Sequence, residues 1–184
     1  MKKQLLLVVC LAGLLAGGVE IGFANGPRKG WSFSSGREFP GAKGDFKIEK
    51  GLGPQGGFAA KLTGDFTGGG LYTAIIYAPY KRFDFKGLNV TVRNVGKLKA
   101  FSVRLIDETG QTHQQDISLE PDMEKWQTVT ILPRGERRNF WGGAADGKWH
   151  GRLRGLSIVC PSKSFPEGVK KAELLFQKIE IVEK

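Results

Sequence analysis

The residues best equipped for recognition chemistry fall in two stretches, Arg104–Gln115 (RLIDETGQTHQQ) and Phe140–Gly151 (FWGGAADGKWHG). In the first, Gln111, His113 and Gln115 alternate with Thr112 and Gln114, so on a strand they project from one face. Amide and imidazole groups both donate and accept hydrogen bonds, the capacity that orienting sugar hydroxyls requires. Arg104, on the neighbouring strand, joins that face if the register allows, and Asp107 stands at the turn between the two. The plain alternative is a solvated polar strand face.

The second stretch holds Trp141 and Trp149, two of the four tryptophans, together with Asp146, His150 and four glycines. Glycine supplies backbone conformations that other residues resist, so the stretch reads as a shaped loop. Its rings either form a stacking platform or fold back over the edge of the core. Arg104, Asp107, Gln111, His113, Gln115, Trp141, Asp146 and Trp149 are therefore the candidate ligand-binding residues.

Catalysis finds little support in the same residues. His113 and His150 are the only histidines, and no tightly spaced set of metal-ligating residues accompanies them. No serine carries nucleophile-elbow glycines. Asp107, Glu108, Asp116 and Asp146 are acids available for glycoside hydrolysis, but nothing in their spacing singles out a pair. No catalytic residue is assigned.

The elements that must position these groups read as strands. Helical periodicity is nearly absent, and short β-branched and aromatic segments recur near residues 30–34, 45–49, 58–64, 71–77, 88–94, 101–107, 112–119, 128–132, 153–160 and 173–182. Leu88, Val90 and Val92 alternate with polar residues, as do Phe101, Val103 and Leu105, the pattern of half-buried antiparallel strands. Asp107-Glu108-Thr109-Gly110 fits a type I turn between two of them. The expectation is an all-β protein, a sandwich or barrel of antiparallel sheets. Trp126 opens an alternating strand and is expected in the core, and Trp31 and Phe33 are expected to cap it. Small β-sandwiches often pin loops with calcium, for which Asp45, Asp65 and Glu180 are conceivable donors, although no calcium-loop motif is present.

Residues 1–24 resemble a secretory signal peptide: Lys2 and Lys3, an apolar run from Leu5 to Gly18, and the small residues Gly22 and Ala24 at the positions signal peptidase reads. Val9 before Cys10 argues against a lipoprotein site, and the run is short for a membrane span. Cleavage after Ala24 removes Cys10 and leaves Cys160 as a lone, buried strand cysteine, with one domain over residues 25–184. The whole chain carries a net charge of +10, and the cleaved chain has 26 basic and 17 acidic residues, hence +9. Such a surface favours acidic partners, an acidic or envelope polysaccharide among them, while export argues against nucleic acid.

Taken in order, Trp31-Ser32-Phe33, Gly70-Leu71-Tyr72, Phe85-Lys86-Gly87-Leu88, Val103-Arg104-Leu105-Ile106-Asp107, Trp126-Gln127-Thr128-Val129 and Phe176-Gln177-Lys178-Ile179-Glu180-Ile181 resemble the galactose-binding-domain-like jelly rolls. That group includes the carbohydrate-binding modules attached to bacterial glycoside hydrolases. The resemblance implies two antiparallel sheets, frequently a structural calcium, and a sugar site on a concave sheet face or on end loops. The expectation is an exported, non-catalytic carbohydrate-binding protein, periplasmic, cell-surface or extracellular, with no stable membrane insertion after signal cleavage. A structural or protein-interaction module and a small polysaccharide-active enzyme stay open as alternatives.

Overall fold

Alternating apolar residues give this chain two sheets whose inner faces must cover one another. The computed structural model describes residues 18–120, 125–133 and 139–183, and among these it contains twelve strands and only two short 3₁₀ turns. In chain order the strands are β1 (Gly18–Glu20), β2 (Trp31–Ser34), β3 (Phe46–Lys50), β4 (Phe58–Asp65), β5 (Tyr72–Tyr77) and β6 (Phe85–Asn94). They continue with β7 (Ala100–Ile106), β8 (Thr112–Ser118), β9 (Trp126–Ile131), β10 (Phe140–Trp141), β11 (Gly155–Pro161) and β12 (Lys171–Glu183). One sheet runs β3-β4-β12-β6-β9, with β1 also paired to β12; the other runs β10-β8-β7-β11-β5-β2. All strand pairs are antiparallel. The expected jelly-roll β-sandwich is the fold observed. No helix among the described residues is long and apolar enough to cross a membrane.

The core lies between the sheets. Leu62, Val90, Val92 and Phe176 from one face Ile75, Val103, Leu105 and Ile158 from the other, all fully buried. Phe101 and Phe176 meet edge to face across the gap, with ring centroids 6.1 Å apart. Strand β11 is buried along its whole length, and Cys160 lies in it without a partner cysteine. Burial pushes the Cys160 thiol up to about 12, so it is a packing residue. Trp31 packs on Phe23 and Tyr77, whereas Phe33 sits at the margin.

All ten expected strands form, with ends shifted by a few residues. Two strands were not anticipated. Strand β10 is a two-residue piece inside the glycine-rich loop, and β1 lies in the segment read as signal peptide. Residues 1–17 of that segment lie outside the described residues. Beyond them, Gly18, Val19 and Glu20 pair with Val182, Ile181 and Glu180, and Ile21 and Phe23 are buried in the core. A boundary after Ala24 therefore falls inside the packed sandwich. Trp126 also departs from expectation. It stands opposite Arg93, and its neighbour Gln127 stands opposite core residue Val92, so Trp126 belongs to the outer face of its sheet.

Candidate functional site

The β7–β8 hairpin decides which polar residues meet solvent. The Asp107 N–H donates to Gln111 O (3.0 Å), closing the turn, and Gly110 takes the positive φ of +90° that the turn requires. Counting outward from that pair sets Arg104 opposite Gln114, Leu105 opposite His113, and Val103 opposite Gln115. Directly opposed residues share a face. His113 and Gln115 thus join Leu105 and Val103 on the core side, while Arg104 shares the outer face with Gln114. The expected common face of Arg104, His113 and Gln115 does not form.

On the inner side, the polar groups hold the Phe140–Gly151 loop against the hairpin turn. The carboxylate of Asp107 accepts hydrogen bonds from Thr109 N and Oγ1, Gln111 N and His150 N, and lies 3.2 Å from His113 Nε2. Burial pushes its carboxyl up, but these bonds outweigh burial and hold it below the ordinary value. Gln111, fully buried, accepts from Gly147 N (3.0 Å) and donates to Lys148 O (2.7 Å). Asp146 accepts from Lys148 N and lies 3.0 Å from His150 Nε2, which holds its carboxyl at about 2. Gln115 donates to Leu132 O (2.8 Å). At Gly143 a Cβ would stand 2.2 Å from Gln111 N, so only glycine lets the loop seat this closely. Asp107, Gln111, His113 and Gln115 thus lie beneath the surface, their side chains committed to the loop and core rather than displayed to a ligand.

The two loop tryptophans separate. Trp149 packs on Phe85 and His113 at 5.2 and 5.3 Å between centroids and seals the core edge. Trp141, on β10 opposite Thr112, stays 46% exposed on the outer face.

There it joins a second constellation. The Arg104 guanidinium lies 4.4 Å from the Tyr72 ring centroid and 5.4 Å from that of Trp141, and its Nε donates to Gln114 Oε1 (2.9 Å). Tyr72 donates its hydroxyl to Glu38, and Lys163 pairs with Asp116 at 2.7 Å. Ser102 Oγ adds a bond to the same Asp116 carboxylate (2.6 Å). Burial pushes the Asp116 carboxyl up, but Lys163 and Ser102 outweigh it and the group lies below its ordinary value. The bond from Tyr72 lowers the Glu38 carboxyl, and burial raises the Tyr72 phenol. Between these groups lies a groove of about 200 Å³, floored by Val159 and Pro161 and walled by Phe39, Leu71, Tyr72 and Arg104. Phe39 and Leu71 are exposed on its rim.

Of the eight sequence candidates, Arg104 lines this groove and Trp141 stands beside it, against Arg104. Tyr72, Gln114, Asp116, Lys163 and Phe39 were missed as site residues. The signal for Gln114 was present: taking Asp107–Gln111 as the closing pair of the hairpin puts it opposite Arg104. Phe39 and Lys163 come from separate connections, and no local pattern marks them.

The arrangement offers hydrogen bonding and ring contact. The two carboxylates that bond the groove's lining residues are engaged, Glu38 by Tyr72 and Asp116 by Lys163 and Ser102, and both lie below their ordinary values, the opposite of a general acid. Asp45, Asp65 and Glu180, the conceivable calcium donors, each meet a lysine, and no cluster of three or more acidic, histidine or cysteine side chains is placed to hold a metal among the described residues.

No family model matches the sequence, and no curated protein matches it. The fold, by contrast, has clear counterparts among solved structures. The family 11 carbohydrate-binding module of the cellulosomal cellulase Lic26A-Cel5E of Clostridium thermocellum is similar over 92% of this chain and 96% of its own, with a TM-score of 0.65 at 17% identity. A family 29 carbohydrate-binding module is similar over 90% of this chain and 91% of its own (TM-score 0.51, 11% identity). An agarase is similar over 91% of this chain but 25% of its own length, with a TM-score of 0.56 at 12% identity. The chain has the jelly-roll fold of the carbohydrate-binding modules.

Proposed function

We propose that this chain is an exported, non-catalytic carbohydrate-binding module that takes up polysaccharide in the outer groove of the β10-β8-β7-β11-β5-β2 sheet. The observation that carries the reading is one open groove lined by Tyr72, Phe39, Arg104, Gln114 and Lys163, with Trp141 stacked beside it on Arg104 and Asp116 paired to Lys163. Sugar rings present an apolar face and a polar edge, and a site that binds them needs aromatic surface beside fixed donors and acceptors. Here Arg104 and Gln114 fix one another, and Lys163 fixes Asp116, so the polar groups are oriented before a ligand arrives.

Two modules of similar fold support the choice of ligand class. A family 11 module from Clostridium thermocellum was solved with a β-1,3-1,4-mixed-linked tetrasaccharide, and TmCBM61 with β-1,4-galactotriose. Arg104 and Lys163 at the groove make an acidic glycan a further candidate. The test is calorimetric titration with mixed-linked β-glucan tetrasaccharide, β-1,4-galactotriose, agarose oligosaccharides and a uronic-acid oligosaccharide. Binding of one or more that weakens in Tyr72→Ala and Trp141→Ala supports the reading. Binding that is indifferent to both substitutions removes the groove as the site, and no binding to any glycan removes the function.

A further inference from the structure

The segment read from sequence as the end of a signal peptide is built into the sandwich. Val19 and Glu20 pair with Ile181 and Glu180 of β12. The N–H groups of Ile21 and Gly22 both donate to Ile179 O (2.8 and 3.0 Å), and Phe23 N donates to Gln177 O (2.7 Å). The Glu20 carboxylate accepts from Gly22 N (2.7 Å) and Ile179 N (3.3 Å). Ile21 is 2% exposed and Phe23 fully buried, the latter between the rings of Trp31 and Phe46 at 5.1 and 5.6 Å. Trp31 Nε1 donates to Ile21 O (2.8 Å). Cutting after Ala24 would strip β1 from β12, empty two large core positions and orphan the Trp31 indole.

The small residue at Gly22, half of the apparent cleavage signal, has a separate cause. A Cβ there would stand 2.3 Å from Ile179 N, so the close approach of this segment to β12 requires glycine. Signal peptidase reads small residues at the first and third positions before the cut. From Ala16 to Ala24 two bonds meet that demand: the one after Ala24, and the one after Gly18, with Ala16 in the third position. The apolar stretch before Ala16 runs from Leu5 to Leu15, inside the usual length of a signal core of roughly 7–15 residues.

We propose that the processing site of this chain is the Gly18–Val19 bond, which releases a mature domain beginning at Val19 with Val19 and Glu20 of β1 and the Ile21–Phe23 plug retained. The inference rests on the export reading, and the experiment separates the two. The full chain is expressed in a Gram-negative host, and the exported and cytosolic fractions are examined by intact mass and N-terminal sequencing. Exported protein beginning at Val19 supports the site; exported protein beginning at Asn25 overturns it while leaving export intact. Full-length protein confined to the cytosol overturns the export reading and the site with it. Ala16→Leu, which precedes β1, is expected to leave uncut precursor in the membrane fraction; normal cutting in that variant overturns the site. Chains starting at Val19 and at Asn25, made without a signal, test the physical premise: the first is expected to unfold cooperatively in urea, the second to have a lower midpoint or to be insoluble. Equal midpoints overturn the proposal.

Discussion

Gln114 and Gln115 are neighbours in sequence and lie on opposite faces of the sheet: Gln114 bonds Arg104 in the outer groove, and Gln115 bonds Leu132 O beside the core. One position along β8 separates a side chain that lines the groove from one committed to the core. Gln114→Ala is expected to weaken glycan binding with little change in urea midpoint. Gln115→Ala is expected to leave affinity within about twofold and to cost about 1–3 kcal/mol of stability, because Leu132 O loses its donor. Titration calorimetry and urea unfolding on the two variants measure both effects.

Arg104 uses both its charge and its flat shape, lying against Tyr72 and Trp141. Arg104→Lys keeps the charge but loses the planar stack and the directed Nε bond. It is expected to weaken binding nearly as much as Arg104→Ala, by about 2 kcal/mol or roughly 30-fold if the residue behaves as a hot spot. Full affinity in the lysine variant would show that charge alone is needed.

Asp107 is the hub that joins the hairpin turn to the glycine-rich loop. Asp107→Ala leaves His150 N without its acceptor, Gln111 N with only the longer bond to Thr109 Oγ1 (3.3 Å) and His113 without its carboxylate partner, and an orphaned buried group costs about 1–3 kcal/mol. A stability loss of at least about 3 kcal/mol is expected in urea unfolding. Hydrogen exchange is expected to speed up in residues 139–151 first.

Acid sensitivity follows from Glu108. Arg152 and Arg82 hold its carboxyl at about 2, against an ordinary 4.5. A carboxylate more acidic in the folded chain contributes stability above pH 4.5 and loses it as the pH falls towards 2. The urea midpoint of the wild-type protein is expected to drop across that window, and Glu108→Gln to flatten the drop. Parallel curves for the two proteins would assign the acid response to other groups.

Cys160 offers a reporter of core opening. With its thiol pushed up to about 12 and no exposed surface, it is expected to resist alkylation at about pH 8 in the folded protein and to react at the ordinary thiol rate in denaturant. Rapid labelling of native protein would mean that β11 opens locally.

Strand positions were legible because alternation survives wherever one face is buried: Leu88-Val90-Val92 and Phe101-Val103-Leu105 both fall on the core side as read. The face of a polar strand was not legible in the same way. His113, Gln111 and Gln115 carry the residue types of a sugar site, yet they are held by backbone groups, by Asp107 and Asp146 and by one another, and most of these partners come from outside their own strand. Trp149 and Trp141 stand eight positions apart in one loop, which is seated on the hairpin by the close approach of Gly143 to Gln111 N and the Gly147 N bond to Gln111, and nothing in their spacing says which ring is covered. The N-terminal strand was masked by composition, since Gly18–Phe23 serves a β-sandwich with the same small and apolar residues that end a signal peptide.

Strand β12 lies between β4 and β1 on one side and β6 on the other, so it is the seam along which that sheet is joined. Every strand that depends on it is made earlier in synthesis. Until residues 171–183 have left the ribosome, β3-β4 and β6-β9 have no backbone partner in common, and β1 has no partner strand at all. That sheet therefore closes only once β12 has emerged, whereas the β10-β8-β7-β11-β5-β2 sheet already has all of its strands by Pro161.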